Sequence, residues 1–529
     1  MQIIATVIIL LAVVTALAEI TDRIRIPYPI LLVLSGIAIG LIPGLPRVSL
    51  HPDVVFLIFL PPILYAAAWN TSWPDFKAAK RPITLLAIGC VIFTTIAVAW
   101  IAHTFIPGLG WPEAFVLGAI ISPPDAIAAT ASTRGLAVPK RVITVLEGES
   151  LVNDATGLIA YRYAVAAVVT GSFSLWEAGL QFIVVAAGGI ILGLIMGRAF
   201  KWIHMITPDN PTTDTTLTFI TPFVVYLAAE SLHLSGVLAV VTCGLFLSWH
   251  SSEMFSHRTR LQAYGSWGTA IFILNGVVFI LIGLQLPLIL EDLSDHSFLM
   301  LLKYGAIISI AVILGRIIWV YPGAYIPRLS KKIRDAEPEV NFKLVTVVAW
   351  SGMRGVVSLA AALAIPLTIA GSEAFPNRNL IIFLTFSVIF STLVVQGLTL
   401  RPLIKWMGIK SDGKAHEEEL KARLSIASSM IEHIEENHSL TLTDEGLNLI
   451  KTKYEIRIQR IRKGELAPKV EEALVEKLYL IQQELLDKER QLILNLRRAG
   501  SISEEALRKI EYELDLEESR LILEKGISA

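Results

Sequence analysis

Glu147-Gly148-Glu149-Ser150-Leu151-Val152-Asn153-Asp154 interrupts a segment, 142–146 and 155–169, that is otherwise apolar enough to cross a bilayer. Three carboxylates and an amide therefore fall within about two turns of one helix. A charged residue at the centre of a spanning helix costs about 2.5–3.5 kcal/mol on insertion scales, so such groups face a partner or a water-filled cavity. The stretch implies a membrane fold and, inside it, an ion or proton site.

The rest of the chain agrees. It has 529 residues, of which 54% are hydrophobic and only 17% charged, and its mean hydropathy is +0.63. A soluble protein of this size carries more charge. About half of the charged side chains lie in the last 120 residues. An integral membrane domain over 1–408 and a soluble, charged, helical domain over 409–529 are expected. The formal net charge of −1 offers nothing to nucleic acid. Cys90 and Cys243 lie in apolar segments and read as small buried hydrophobes rather than a disulfide or metal pair. Residues 1–20 lack a basic n-region and are long enough to span, so they read as a first transmembrane helix rather than a cleaved leader.

Apolar runs of spanning length number about thirteen. Their expected limits are 2–20, 28–44, 53–70, 82–106, 113–132, 142–170, 176–203, 215–232, 234–250, 267–290, 300–327, 341–370 and 378–404. Lys and Arg fall in alternate loops: Arg23 and Arg25, Lys77, Lys80 and Arg81, Arg134, Lys140 and Arg141, Arg198 and Lys201, Arg258 and Arg260, then Arg328, Lys331, Lys332 and Arg334. The positive-inside rule places these loops in the cytoplasm. An odd number of spans then puts the N-terminus outside and the charged tail inside.

Thirteen spans also permit two inverted six-helix halves joined by the seventh. Transporters of that design bind ions near the midplane, where discontinuous helices meet. The fifth span holds Ser122-Pro123-Pro124-Asp125, whose prolines remove two backbone donors and break the helix. The twelfth, its counterpart, holds Ser351-Gly352-Met353-Arg354-Gly355. The tail has helical patterning at Leu474, Leu478, Ile481 and Leu485, and Ser501 with Glu504 reads as a capping box. It carries no catalytic pattern.

Exchange of a monovalent cation for a proton needs a group that binds either one but not both. A carboxylate serves when partial burial brings its pKa toward working pH. Na⁺, a hard cation, takes oxygen ligands. Asp154, Asp125, Ser150 and the side-chain carbonyl of Asn153 all supply them, and Ser150 and Asp154 share a helical face. Carbonyls freed by Pro123 and Pro124 can complete the shell. The transported Na⁺ would be the only metal, held by Asp154, Asp125 and Ser150. No resident cofactor is implied. Arg354 needs a buried acid, and Glu149 is the expected partner in a structural ion pair. Glu230, at an outer helix end, either lines an ion pathway or caps a turn. Asn275 and Arg316 are further intramembrane polar residues; Glu147, His103 and His233 receive no role.

Together these residues resemble the monovalent cation:proton antiporter-1 family, the bacterial and eukaryotic sodium/proton exchangers. Glu149-Ser150-Leu151-Val152-Asn153-Asp154 is similar to the family's Asn-Asp signature helix. Gly352-Met353-Arg354-Gly355 is similar to its Gly-Leu-Arg-Gly motif, and Asp125 precedes Glu149 by the family's spacing. Ala228 to Gly236, Phe59-Leu60-Pro61-Pro62-Ile63-Leu64 and Val395-Gln396-Gly397-Leu398-Thr399-Leu400-Arg401-Pro402 also match. The resemblance covers about 1–408. It implies Asp154 as the transported-ion carboxylate, Ser150 and Asp125 as co-ligands, Asn153 as an orienting group, and Glu149 with Arg354 as an ion pair. It further implies electroneutral exchange, a homodimer in the cell membrane, and a core bundle that moves like an elevator against a dimerisation domain.

This chain departs from the family pattern twice. Tyr65-Ala66-Ala67 stands where some relatives place a carboxylate, and Asn275 where animal exchangers carry an acid. Both bear on cation selectivity and pH response. The expected function is secondary antiport of Na⁺, with Li⁺ or K⁺ as alternatives, against H⁺, without enzymatic chemistry. A K⁺/H⁺ antiporter and a monovalent cation channel are the rival readings, but interrupted helices in opposite halves of one chain favour alternating access over a pore.

Overall fold

The computed structural model describes residues 10–19, 27–42 and 56–409, with short breaks at 134–135, 137, 172–173, 208–209, 292, 294–296, 337–339 and 370–372. In the tail it describes 414–438, 480–489, 513–521 and a few further positions. The chain divides into two compact units, Met1–Ser411 and Asp412–Ala529. Among the described residues the regular structure is helical, with one isolated bridge between Thr368 and Ala374.

The first unit opens with α1 (Leu10–Glu19), α2 (Tyr28–Gly40), α3 (Leu60–Asn70) and α4 (Lys80–Phe105). An interrupted pair follows, α5 (Trp111–Ile121) and α6 (Ala126–Thr133), then α7 (Lys140–Thr170) and α8 (Leu175–Ile206). Next come α9 (Pro211–Ser231), α10 (Gly236–Met254), α11 (His257–Glu291) and α12 (Phe298–Tyr325). A second interrupted pair, α13 (Phe342–Trp350) and α14 (Val356–Leu363), precedes α15 (Arg378–Trp406). Proline in the first turn starts α2, α3, α5 and α9, where its missing N–H would have no helical partner anyway. Side-chain oxygens of Ser174, Asn210, Ser235 and Asn341 accept from first-turn N–H groups of α8, α9, α10 and α13.

Seven of the described helices are long and apolar enough to cross a membrane by length and composition, and three shorter apolar helices accompany them. With 31 residues α7 has the length, but it carries Lys140, Arg141, Glu147, Glu149, Asp154 and Arg162. Of its polar groups, Glu149, Asn153 and Asp154 are buried, whereas Lys140, Arg141 and Arg162 are exposed.

One apolar cluster joins α4, α5, α12, α14 and α15, and a second joins α3, α9 and α10. Helix α7 contributes to both, through Leu146, Tyr161 and Ala164 on one side and Leu151 and Ala155 on the other. Helix α8 lies against α10 along Gly189, Gly193 and Gly197, spaced four apart. A Cβ at Gly193 would come within 2.5 Å of the Ala239 carbonyl, so the approach requires glycine. Helix α4 contains a π-turn at Leu85–Cys90 and α15 another at Thr392–Gln396.

In the second unit α16 spans Lys414–His438. Leu486, Ile493 and Leu514 are buried together there. Ile481 and Leu485, which share the sequence's helical spacing, are exposed, whereas Leu486 and Ile493 lie seven apart on the buried face. Leu474, Leu478, Ser501 and Glu504 lie outside the described residues.

Candidate ion-binding site

The two interrupted pairs meet at their breaks. The backbone N–H of Asp125 donates to the Met353 carbonyl at 2.7 Å, joining one break to the other. Each break leaves two helix ends with unpaired backbone groups, N–H at the start of the second half and C=O at the end of the first. Asp125 answers the positive ends. Its Oδ1 accepts from the Ile127 N–H of α6 at 2.8 Å, and the Val356 N–H of α14 also reaches its carboxylate. Arg354 answers the negative ends. Its Nε donates to the Ile121 carbonyl at 2.9 Å, its Nη2 to Ser122 at 3.2 Å, and its Nη1 to Gly352. The Arg354 backbone N–H donates at 3.1 Å to Thr392 Oγ1, which the π-turn of α15 presents.

Helix α7 runs alongside this crossing. Asn153 Nδ2 donates to the Pro124 carbonyl at 2.8 Å, and Ser150 Oγ accepts from the Ala126 N–H at 3.3 Å. Both bonds use groups that the Pro123-Pro124 break has released from the helical ladder. Close approach is required here as well. A Cβ at Gly157 would lie 2.8 Å from Pro123 Cγ, and one at Gly355 would collide with the Asp125 carboxylate.

A cavity of about 170 Å³ opens at this junction, and Asp125, Thr130, Glu147, Ser150, Asp154 and Ser358 are among its lining residues. Asp154 is 7% exposed, and among the described residues it has no ion-pair partner. Its charged neighbour is Asp125. The carboxylates of Asp125, Glu147 and Asp154 and the hydroxyl oxygens around a small cavity suit a hard, desolvated cation or a proton. The structure thus brings Asp154, Asp125, Ser150 and Asn153 together, with Asn153 turning its amide nitrogen to the backbone. Asn153 Oδ1 is buried without a hydrogen-bond partner among the described residues. Glu147, given no role from sequence, also reaches the cavity wall.

The expected Glu149–Arg354 pair is corrected. Glu149 Oε1 and Oε2 accept from Arg316 Nη1 and Nη2 at 2.6 and 2.8 Å, while Arg354 is satisfied by main-chain carbonyls. The negative end of a half-helix and its free carbonyls meet a guanidinium's needs without a carboxylate. Arg316 was visible in sequence as an intramembrane cation, but helical spacing cannot say which of two arginines faces an acid on a third helix. Glu230 is not part of the cavity. It pairs at 2.6 Å with Arg162 of α7, both partly exposed.

The chain is similar to known transporters in sequence and in fold. A family model described as sodium/hydrogen exchanger, transmembrane, matches residues 8–406. An uncharacterized Na(+)/H(+) exchanger of Mycobacterium tuberculosis is 34% identical over 510 residues, covering 94% of this chain and 93% of the relative. The sodium, potassium, lithium and rubidium/H(+) antiporter of Bacillus pumilus is 33% identical over 516 residues, covering 92% and 76%. The fold is similar to that of the sodium proton antiporter MjNhaP1 from Methanocaldococcus jannaschii, with a TM-score of 0.59, 19% identity, and coverage of 76% of this chain and 98% of that one.

Proposed function

Because the chain belongs to the sodium/hydrogen exchanger family, whose members are integral membrane cation:proton antiporters, we propose that Asp154 binds either a monovalent cation or H⁺ and carries them in opposite directions by alternating access. The observation that carries this reading is a small cavity in which Asp154 and Asp125 meet at two crossed helix breaks without a fixed cation beside Asp154. A protein cation there would neutralise Asp154 permanently; its absence among the described residues leaves the carboxylate to a mobile one.

In this reading Asp125 and Ser150 complete the cation's oxygen shell. Asn153 holds the Pro124 carbonyl and so orients the broken helix against α7. Glu149 with Arg316, and Arg354 with the half-helix carbonyls, are structural ties that keep the crossing rigid. Na⁺ is the first proposed cation, with Li⁺ and K⁺ as alternatives. Oxygen donors of this kind select on charge and size rather than on covalency, and the name of the Bacillus relative spans four alkali cations.

The wider architecture is part of the proposal. It comprises thirteen spans in two inverted repeats, an extracellular N-terminus, a cytoplasmic regulatory tail over 409–529, electroneutral exchange and a homodimer in the cell membrane. Glu230, tied to Arg162 on the helix that holds Asp154, lies on the proposed outer side of the ion pathway.

Everted vesicles or proteoliposomes with a trapped pH dye, given Na⁺, Li⁺ and K⁺ in turn, test the central claim. Cation addition is expected to move protons in wild type and not in Asp154→Asn. Exchange that survives in Asp154→Asn would sink the mechanism. Current that accompanies exchange in voltage-clamped liposomes would remove electroneutrality.

A further inference from the structure

A second cavity of about 360 Å³ adjoins the ion site, and Ile63, Ala67, Asn70 and Ile127 line both. Its long wall is one face of α11, formed by Arg260, Tyr264, Trp267, Gly268, Ile271 and Asn275. These positions recur every three or four residues, so the groove follows the helix for about 22 Å from Arg260 to Asn275. Arg260 lies with Arg258 in the first turn of α11, on the basic-loop face.

The wall is rigid. The Trp267 ring stacks on Phe219 at 4.3 Å and lies 5.4 Å from Tyr65, and its Nε1 donates to Thr218 Oγ1 at 3.0 Å. Arg260 is tethered by its Nη1 to the Phe255 carbonyl at 2.5 Å. Arg260 stands about 22 Å along the helix from Asn275, at the mouth of the groove and not beside the amide.

Asn275 is 4% exposed, and its Oδ1 is buried without a hydrogen-bond partner among the described residues. A buried amide oxygen left unpaired costs free energy, so an ion or water that visits it is stabilised there. Asn70, on the wall common to both cavities, uses its amide nitrogen on the Ala66 carbonyl at 2.9 Å and keeps its oxygen as an acceptor.

We infer that the side-chain oxygen of Asn275 is a transient ligand for the cation in this groove, on its way to Asp154 from the basic-loop face. The inference rests on the exchange reading above. An amide does not titrate in the physiological range, so the relay holds the cation but does not compete for the proton. It sets the apparent affinity for the cation, whereas Asp154 sets the coupling. The neutral donors bind weakly enough to let the ion move on.

Exchange measured in everted vesicles at varied Na⁺ tests this. Asn275→Ala is expected to raise the Na⁺ concentration for half-maximal exchange about three- to ten-fold, with the maximal rate and the pH midpoint retained. Asn275→Asp is expected to lower that concentration and to make it pH-dependent, because the new carboxylate titrates. Half-saturation at the wild-type value in both variants would overturn the relay. So would a fall in maximal rate at unchanged half-saturation, which marks a packing role. Asn275→Cys should be labelled by a cationic, impermeant thiol reagent from the basic-loop face and protected by Na⁺; labelling only from the opposite face would also overturn it. Failure of the exchange reading looks different, because wild type would then show no cation-driven proton movement, or Asp154→Asn would retain it.

Discussion

Arg316 grips Glu149 with two parallel hydrogen bonds, Nη1 to Oε1 at 2.6 Å and Nη2 to Oε2 at 2.8 Å, with both side chains about 1% exposed. Arg316 also donates to the Val348 carbonyl at 3.1 Å, so the pair ties α7, α12 and α13 at one point. Breaking a buried pair by removing one partner typically costs about 3–5 kcal/mol, because the other charge stays buried. Glu149→Gln and Arg316→Gln should each destabilise by that order. The double variant should lose clearly less than the sum, giving a coupling above about 1 kcal/mol in a double-mutant cycle. Thermal unfolding of the four proteins in one detergent measures it, and strictly additive losses would mean that the two side chains do not meet.

Gly355 has no room for a side chain, since a Cβ there would occupy the Asp125 carboxylate's position. Gly355→Ala should displace Asp125 from the ends of α6 and α14 and abolish exchange. A Cβ at Gly265 on α11 would have nothing within 4 Å among the described residues. Gly265→Ala should therefore stay within about 0.5 kcal/mol of wild type or gain slightly from helix propensity. Dye-monitored exchange alongside thermal melts checks both, and an active Gly355→Ala would contradict the packing at the crossing.

Asn153 bridges α7 to the Pro124 carbonyl at 2.8 Å. Asn153→Ala leaves that carbonyl unpaired in a buried place, which should cost about 1–3 kcal/mol of stability. The loosened break should also raise the Na⁺ concentration for half-maximal exchange. A variant with wild-type melting and wild-type half-saturation would show that the bridge is dispensable.

Lys140, at the start of α7, forms an ion pair with Asp75 at 2.7 Å in the basic loop before α4. That contact holds the Asp75 carboxyl below the usual carboxylate range. A depressed carboxylate contributes stability above its unfolded value of about 3.9 and loses it as pH falls through the lower folded value. Solvent screens this partly exposed pair, so Asp75→Asn should cost at most about 1 kcal/mol. The cost should be constant from pH 5 to 9 and vanish in acid. Melts of both proteins across that range check it. A difference that changes between pH 6 and 8 would point to another titrating group.

Composition and periodicity were enough to read a helical membrane protein, because the apolar run needed to cross a bilayer is a one-dimensional property. The breaks at Pro123-Pro124 and at Gly352–Gly355 were legible for the same kind of reason, since proline and glycine act on their own backbone wherever they stand. Asp154 and Ser150 could be placed on one face from their spacing alone. The tail was harder: Ile481 and Leu485 had the right spacing yet are exposed, because an apolar stripe does not say which face finds a partner.

What only the tertiary structure decided was which groups meet across helices. Sequence showed two intramembrane arginines and a buried Glu149, but their pairing depends on how α12 and α13 cross α7. The crossing gave Glu149 to Arg316 and left Arg354 to the carbonyl ends of the broken helices, whose partial charges no residue letter records. The same crossing aimed Asp125 at two helix N-termini at once and left the opening stretch, Glu147 to Asp154, divided. Glu149 is locked in a tie, whereas Asp154 faces an open cavity. Local chemistry specifies what each side chain can do, and long-range packing specifies whom it can do it with.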